Sequence, residues 1–122
     1  MEQRFVIQIH RGWGPTHYDL MIEDGPALAT WQFADSPTDA PAGRPMNCRR
    51  IADHRPAYLT YEGPVSGGRG AVRILDGGPC EVVAKGPTRW RVRFGGKRLA
   101  GPCELRRDGQ DGWAFVREAG AN

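Results

Sequence analysis

The sequence predicts an all-β fold: a single compact β-barrel of short antiparallel strands. Three observations predict it. Seventeen glycines and ten prolines are spread along all 122 residues, so they punctuate many short elements and do not mark a flexible tail. Between them lie short runs whose apolar residues alternate, as in a half-buried strand. No stretch repeats its apolar residues at the helical period. A chain of this length has room for one domain with a small core, and one domain is expected over residues 1–122.

Residues 5–23 (FVIQIHRGWGPTHYDLMIE) read as two strands joined by a short loop. Side chains alternate across a pleated strand, so Phe5, Ile7 and Ile9 share one face of the first, and Val6, Gln8 and His10 the other. In the second, Tyr18, Leu20 and Ile22 oppose His17, Asp19, Met21 and Glu23. Asp24-Gly25-Pro26 is a turn, and residues 27–33, with Trp31, are a third strand. Three prolines and a glycine make 35–45 an irregular surface loop. Residues 46–52 form the next strand, and it runs into Asp53-His54-Arg55-Pro56, where the proline biases Arg55 toward an extended backbone. Further strands are expected over 58–61, 70–75, 80–85, 89–94, 103–107 and 113–117, with turns at Asp76-Gly77-Gly78 and Gly95-Gly96. About nine or ten short strands favour a closed barrel, which leaves no free edge.

The net charge of +3 is compatible with a polyanionic partner and is equally common among proteins without one. The alternation Arg89-Trp90-Arg91-Val92-Arg93-Phe94 puts three arginines on one face. That row is either a solvated outer face or a grip for phosphates. Cys48, Cys80 and Cys103 are odd in number and contain no Cys-x-x-Cys pair, which argues against a disulfide framework or a thiolate zinc knuckle; buried, reduced thiols are expected. No apolar run is long enough for a signal peptide or a membrane span, so the expected location is the cytoplasm, with no membrane partner.

The strand faces bring His10, His17 and Asp19 near one another. Neutral imidazole and carboxylate oxygen suit a divalent transition ion such as Mn, Zn or Fe, with positions left for water or substrate. The same spacing also describes a partly exposed strand histidine bonded to a nearby carboxylate. His54 sits at the end of an element, where functional groups are usually displayed.

Taken in order, FVIQIH, HYDLMIEDG, TW, ADHRPAYLTYEG, GGRGAVRILDGG, GGKRLAGPCELRR and WAFVR form a string that resembles the 3′-phosphoesterase domain of bacterial DNA ligase D and its stand-alone relatives. The resemblance spans nearly the whole chain. It implies a compact barrel that uses manganese to trim 3′ ends of DNA in repair. A terminal ribonucleoside is removed to leave a 3′-phosphate, and that phosphate is then removed to leave a 3′-hydroxyl. It implies His10, His17 and Asp19 as ligands of a divalent metal, manganese first and zinc or another transition ion as alternatives. His54 falls on a histidine that works at the scissile phosphate, as phosphate ligand or proton carrier, and Gln8 and Tyr58 on positions that support the site. The implied partners are DNA 3′ ends, with or without terminal ribonucleotides, and a repair ligase or polymerase.

The sequence departs from that pattern where relatives carry phosphate-binding cations. Met21 stands two residues after the aspartate in place of an arginine, and Met46 falls close to another. Asp35 falls near a lysine position, and Ala52 replaces an acidic residue. The loop between His10 and His17 is one residue longer, and the N-terminal arm of relatives has no counterpart. Arg50 and Arg55, then Arg11, are the arginines expected to serve the phosphate instead, with Arg44 and Arg49 also nearby in sequence. Retention of the histidines and Asp19 points to an enzyme. Loss of the arginines points to a binding module of the same fold that holds a nucleic-acid end or a repair partner. A hydrolase of some other phosphate ester is the third reading.

Overall fold

A computed structural model describes residues 2–110 and 112–118. Among the described residues nine strands form one sheet: β1 (Gln3–Arg11), β2 (His17–Asp24), β3 (Ala27–Phe33), β4 (Met46–His54), β5 (Gly63–Pro64), β6 (Ala71–Lys85), β7 (Arg89–Gly95), β8 (Ala100–Asp108) and β9 (Gly112–Arg117). The order β1-β2-β3-β4-β9-β8-β7-β6 returns from β6 to β1 and closes an eight-stranded antiparallel barrel, with β5 as an extra strand on β6. Among the described residues the helical ones are two single 3-10 turns, η1 (Pro37–Asp39) and η2 (Pro56–Leu59). Among the described residues no helix is long and apolar enough to cross a membrane.

Register decides which side chains fill the barrel. Phe5 pairs with Ile22 and Ile7 with Leu20, and these face the main core with Trp31, Phe33, Trp90, Phe94 and Phe115. The rings meet edge to face, Trp31 with Trp90 at 5.1 Å and Phe5 with Phe94 at 4.8 Å between centroids. The lumen is therefore packed with side chains, as small barrels require. The alternate residues of β1 and β2 face outward, where Val6, Met21 and Leu28 form a second small cluster with Leu59 of η2.

Two expectations need correction. Residues 58–61 do not form a strand, because Pro56 opens the turn η2. Its ring fixes φ and it has no N–H to give a ladder, and the Tyr58 N–H closes the turn on Arg55 O at 3.0 Å. Asp76-Gly77-Gly78 is not a turn either. It lies inside β6, a single strand whose first part pairs with β1 and whose last part pairs with β7. A Cβ on Gly77 would lie 3.1 Å from the Phe5 carbonyl oxygen, so the missing side chain lets the closing strands approach there.

The arginine row of β7 takes the solvated form. Trp90, Val92 and Phe94 are buried, while Arg91 pairs with Glu118 at 2.7 Å, Arg93 with Glu81 at 2.8 Å, and Arg89 with Glu104. Three carboxylates already answer the three cations. The three cysteines are buried free thiols, and burial pushes each up to about 12, far from the thiolate chemistry of reactive cysteines.

Gly70 ties the outer covering segment to the end of β1. Its φ is +73°, and a Cβ there would sit 2.0 Å from Arg11 O. Gly70→Ala is expected to cost about 2 to 4 kcal/mol, from left-handed strain and a backbone clash together. A urea melt measures it, and a loss below about 0.5 kcal/mol, the range of an ordinary surface substitution, would contradict this account.

Candidate metal centre

The β1–β2 register sets His10 opposite His17 and Gln8 opposite Asp19. All four face outward, away from the packed lumen. The His10 and His17 rings are 4.7 Å apart between centroids, and His17 Nε2 lies 3.6 Å from Asp19 Oδ2. One ligand atom from each of His10, His17 and Asp19 lies within 4.8 Å of the others, so the group could hold a metal ion.

Backbone carbonyls select the imidazole tautomers. A carbonyl oxygen only accepts, so the ring nitrogen facing it carries the proton. His10 Nε2 donates to Arg69 O at 2.6 Å, and His17 Nδ1 to Pro15 O at 3.3 Å. The lone pairs are left on His10 Nδ1 and His17 Nε2. This is the outer hydrogen bonding that orients histidine ligands in metal sites. His54 Nδ1 likewise donates to Ala52 O at 3.1 Å, which leaves Nε2 free for an incoming group.

Asp19 supplies an independent test of fit. Its Oδ1 is buried and has no hydrogen-bond partner. Burial pushes the carboxyl above its ordinary 3.8, and His17, His54 and His10 pull it back only in part. A buried carboxylate oxygen without a donor is costly, and a cation satisfies it. Two imidazole nitrogens and a carboxylate fit Mn, Zn or Fe and do not choose among them.

Residues 55–70, between β4 and β6, roof this outer face. The Gln8 side-chain amide donates to Tyr58 O at 2.8 Å and Tyr61 O at 2.9 Å, so Gln8 holds the roof to β1. Beneath η2, Met21 packs with Val6, Leu28 and Leu59, and Tyr58 lies against them. Met21 is thus part of a fully buried apolar floor. The cavity between roof and outer face opens to solvent on one side, is ≈ 230 Å³ and is lined by the His10, His17 and Asp19 group together with His54, Tyr58 and Gln8. A wider groove of ≈ 560 Å³ lies elsewhere, along Arg4, Ile74 and Arg98, and contains no imidazole. Size does not mark the chemistry here.

The expected arginines are not brought together at this cavity. The Arg50 guanidinium stacks over Trp31 at 4.5 Å and Trp90 at 5.5 Å, and pairs with Asp53 at 3.4 Å. It therefore faces the core side of β4, opposite the imidazoles. Arg55 lies over Tyr58 at 5.7 Å and lines a neighbouring cavity of ≈ 210 Å³ with Tyr61. Arg11 is exposed at the end of β1, opposite Ala71. Arg49 comes nearer, donating to Gln32 Oε1 at 2.7 Å beside the cavity wall. The arginine that does line the cavity is Arg69, with its guanidinium bonded to Ser66 O at 2.7 Å. Sequence reasoning missed Arg69 and Trp13, which also lines the cavity. The Gly12-Trp13-Gly14 triplet beside a candidate ligand histidine is the available signal for one. Arg69 reaches His10 through its carbonyl, which any residue could supply.

No family model and no curated protein matches this chain.

Proposed function

We propose that the protein is a divalent-metal-dependent 3′-phosphoesterase, with manganese as the working ion, acting on 3′-phosphate or 3′-ribonucleoside ends of DNA. The observation that carries this reading is the unpartnered Asp19 Oδ1, set beside two imidazoles whose lone pairs point away from their backbone partners. The sequence resemblance supplies the substrate class. An ion held by His10, His17 and Asp19 would bind a phosphate oxygen and neutralise charge developing in the transition state. His54 supplies Nε2 to the same cavity. As an imidazolium it donates a hydrogen bond to a phosphate oxygen, or gives its proton to the departing oxygen, the ribonucleoside's 5′-oxygen in the first reaction and the strand's 3′-oxygen in the second, as water bonds to phosphorus, loses a proton to solvent and the old P–O bond breaks. Gln8 and Tyr58 keep that imidazole in place through the roof, and Arg69 offers the second positive charge that phosphoryl transfer favours.

The test is incubation of the pure protein with Mn²⁺ and a labelled duplex ending in a 3′-phosphate or in one ribonucleotide. Metal-dependent release of phosphate or ribonucleoside, absent in His10→Ala, is the expected result. His54→Ala is expected to cut turnover about 100-fold or more while leaving Mn²⁺ affinity within threefold or so, since His54 lies outside the ligand set. Equal losses of metal affinity and turnover would instead make His54 a ligand. The placement of Arg50, Arg55 and Arg11 favours a second reading, a binding module that holds a nucleic-acid end without hydrolysing it. Tight Mn²⁺-dependent binding of the 3′-phosphate duplex with no hydrolysis above the His10→Ala level would establish that reading.

A further inference from the structure

Trp13 has no role in the chemistry above, yet its position is specific. It is 53 % exposed and lines the cavity together with the metal-site residues and His54. Its ring lies against the His10 imidazole, with centroids 6.0 Å apart and planes inclined by 30°. The other three tryptophans, Trp31, Trp90 and Trp113, are buried. Scattered exposed apolar residues are ordinary, and Val83, 54 % exposed, is one. A large planar ring at the mouth of a polar cavity, backed on one side by a candidate ligand, is not scattered.

The loop that carries the ring is positioned by backbone packing. A Cβ on Gly12 would lie 3.2 Å from Gly70 Cα, so the Trp13 loop is fixed against the segment that carries Arg69. One wall of the cavity mouth is thus an aromatic plane, and Arg69 lines the same cavity.

We propose that Trp13 is a stacking platform for the base of the terminal nucleotide whose phosphate occupies the cavity. This rests on the reading of the cavity as a site for nucleic-acid ends. Every nucleobase has a π-face, so such a platform adds affinity without choosing a sequence. It also separates a nucleotide end from a simple phosphate ester, which offers no ring to stack.

The experiment compares two probes that cannot be hydrolysed, by calorimetry with and without Mn²⁺: a trinucleotide ending in a 3′-methylenephosphonate, and the same molecule with an abasic terminal sugar. Wild type is expected to prefer the base-bearing probe by about 10-fold or more, the effect usual for one stacked base. Trp13→Phe should keep most of that preference, and Trp13→Ala should abolish it. Mn²⁺ affinity, read by electron paramagnetic resonance, should be the same in all three proteins. Equal binding of the two probes by wild type, or an undiminished preference in Trp13→Ala, would overturn the proposal. Failure of wild type to take up Mn²⁺ would sink the metal reading instead, and the metal-free comparison of the two probes would still decide the role of Trp13.

Discussion

Asp19→Asn is expected to lower Mn²⁺ affinity at least about 100-fold, because loss of an outer hydrogen-bond partner alone costs about 10- to 100-fold and Asp19 is a direct candidate ligand. Hydrolysis should fall to the level of His10→Ala. The same substitution is expected to leave the metal-free protein as stable as wild type, or more stable by about 1 kcal/mol, the usual gain when a strained functional charge is removed. The sign follows from the carboxyl itself. Its upward shift means that desolvation outweighs attraction to the imidazoles, so the charge costs folding energy when no cation is present. A structural His17–Asp19 pair gives the opposite sign, since its removal would weaken the fold. Thermal unfolding in EDTA at pH 8, beside metal titrations at the same pH, separates the two. A drop in Tm of several degrees without metal would support the purely structural pair.

Asp76→Ala is expected to remove about 3 kcal/mol of stability, since a hydrogen bond to a charged group contributes about 1.5 to 3 kcal/mol and several are lost together. Asp76 is buried, and its carboxylate accepts from Lys97 N at 3.0 Å, Arg98 N at 3.0 Å and Leu99 N at 2.7 Å. Burial alone would raise the carboxyl, but the N–H groups of Leu99, Arg98, Gly77 and Lys97 outweigh it and hold it below 3.8. A lowered folded value means that the contribution is complete above the unfolded value and is lost as pH falls through the folded one. Urea midpoints for wild type and Asp76→Ala should therefore differ widely at pH 7 and converge below pH 3.8. A constant gap across that range would show that the loss is packing and not charge.

The barrel was legible in the sequence because its strands are half-buried. Where one face meets solvent and the other meets the core, alternation is visible, as in Arg89-Trp90-Arg91-Val92-Arg93-Phe94. The same alternation on residues 5–23 placed His10, His17 and Asp19 on a common face. What failed was read from punctuation. Gly77-Gly78 resembles a turn, but here glycine serves close approach of β6 to β1. Tyr58 and Tyr61 resemble strand residues, but Pro56 commits the segment to a 3-10 turn. Distance along the chain does not reveal the face an arginine occupies. Arg50 follows Arg49 directly, and pleating sends one toward Trp31 and the other toward Gln32.

The cavity lies on the barrel's outer wall, under residues 55–70, and not in its lumen. Closure of β6 onto β1 does not depend on that cover, so lifting it leaves the main core intact. Amide protons of the cover should therefore exchange far faster than those of β1 to β3, through an opening that is not global unfolding. An exterior site also sets no limit on the length of what it holds. A polymer bound there by its end residue would keep the rest of its length in bulk water, needing neither a tunnel nor a passage through the protein.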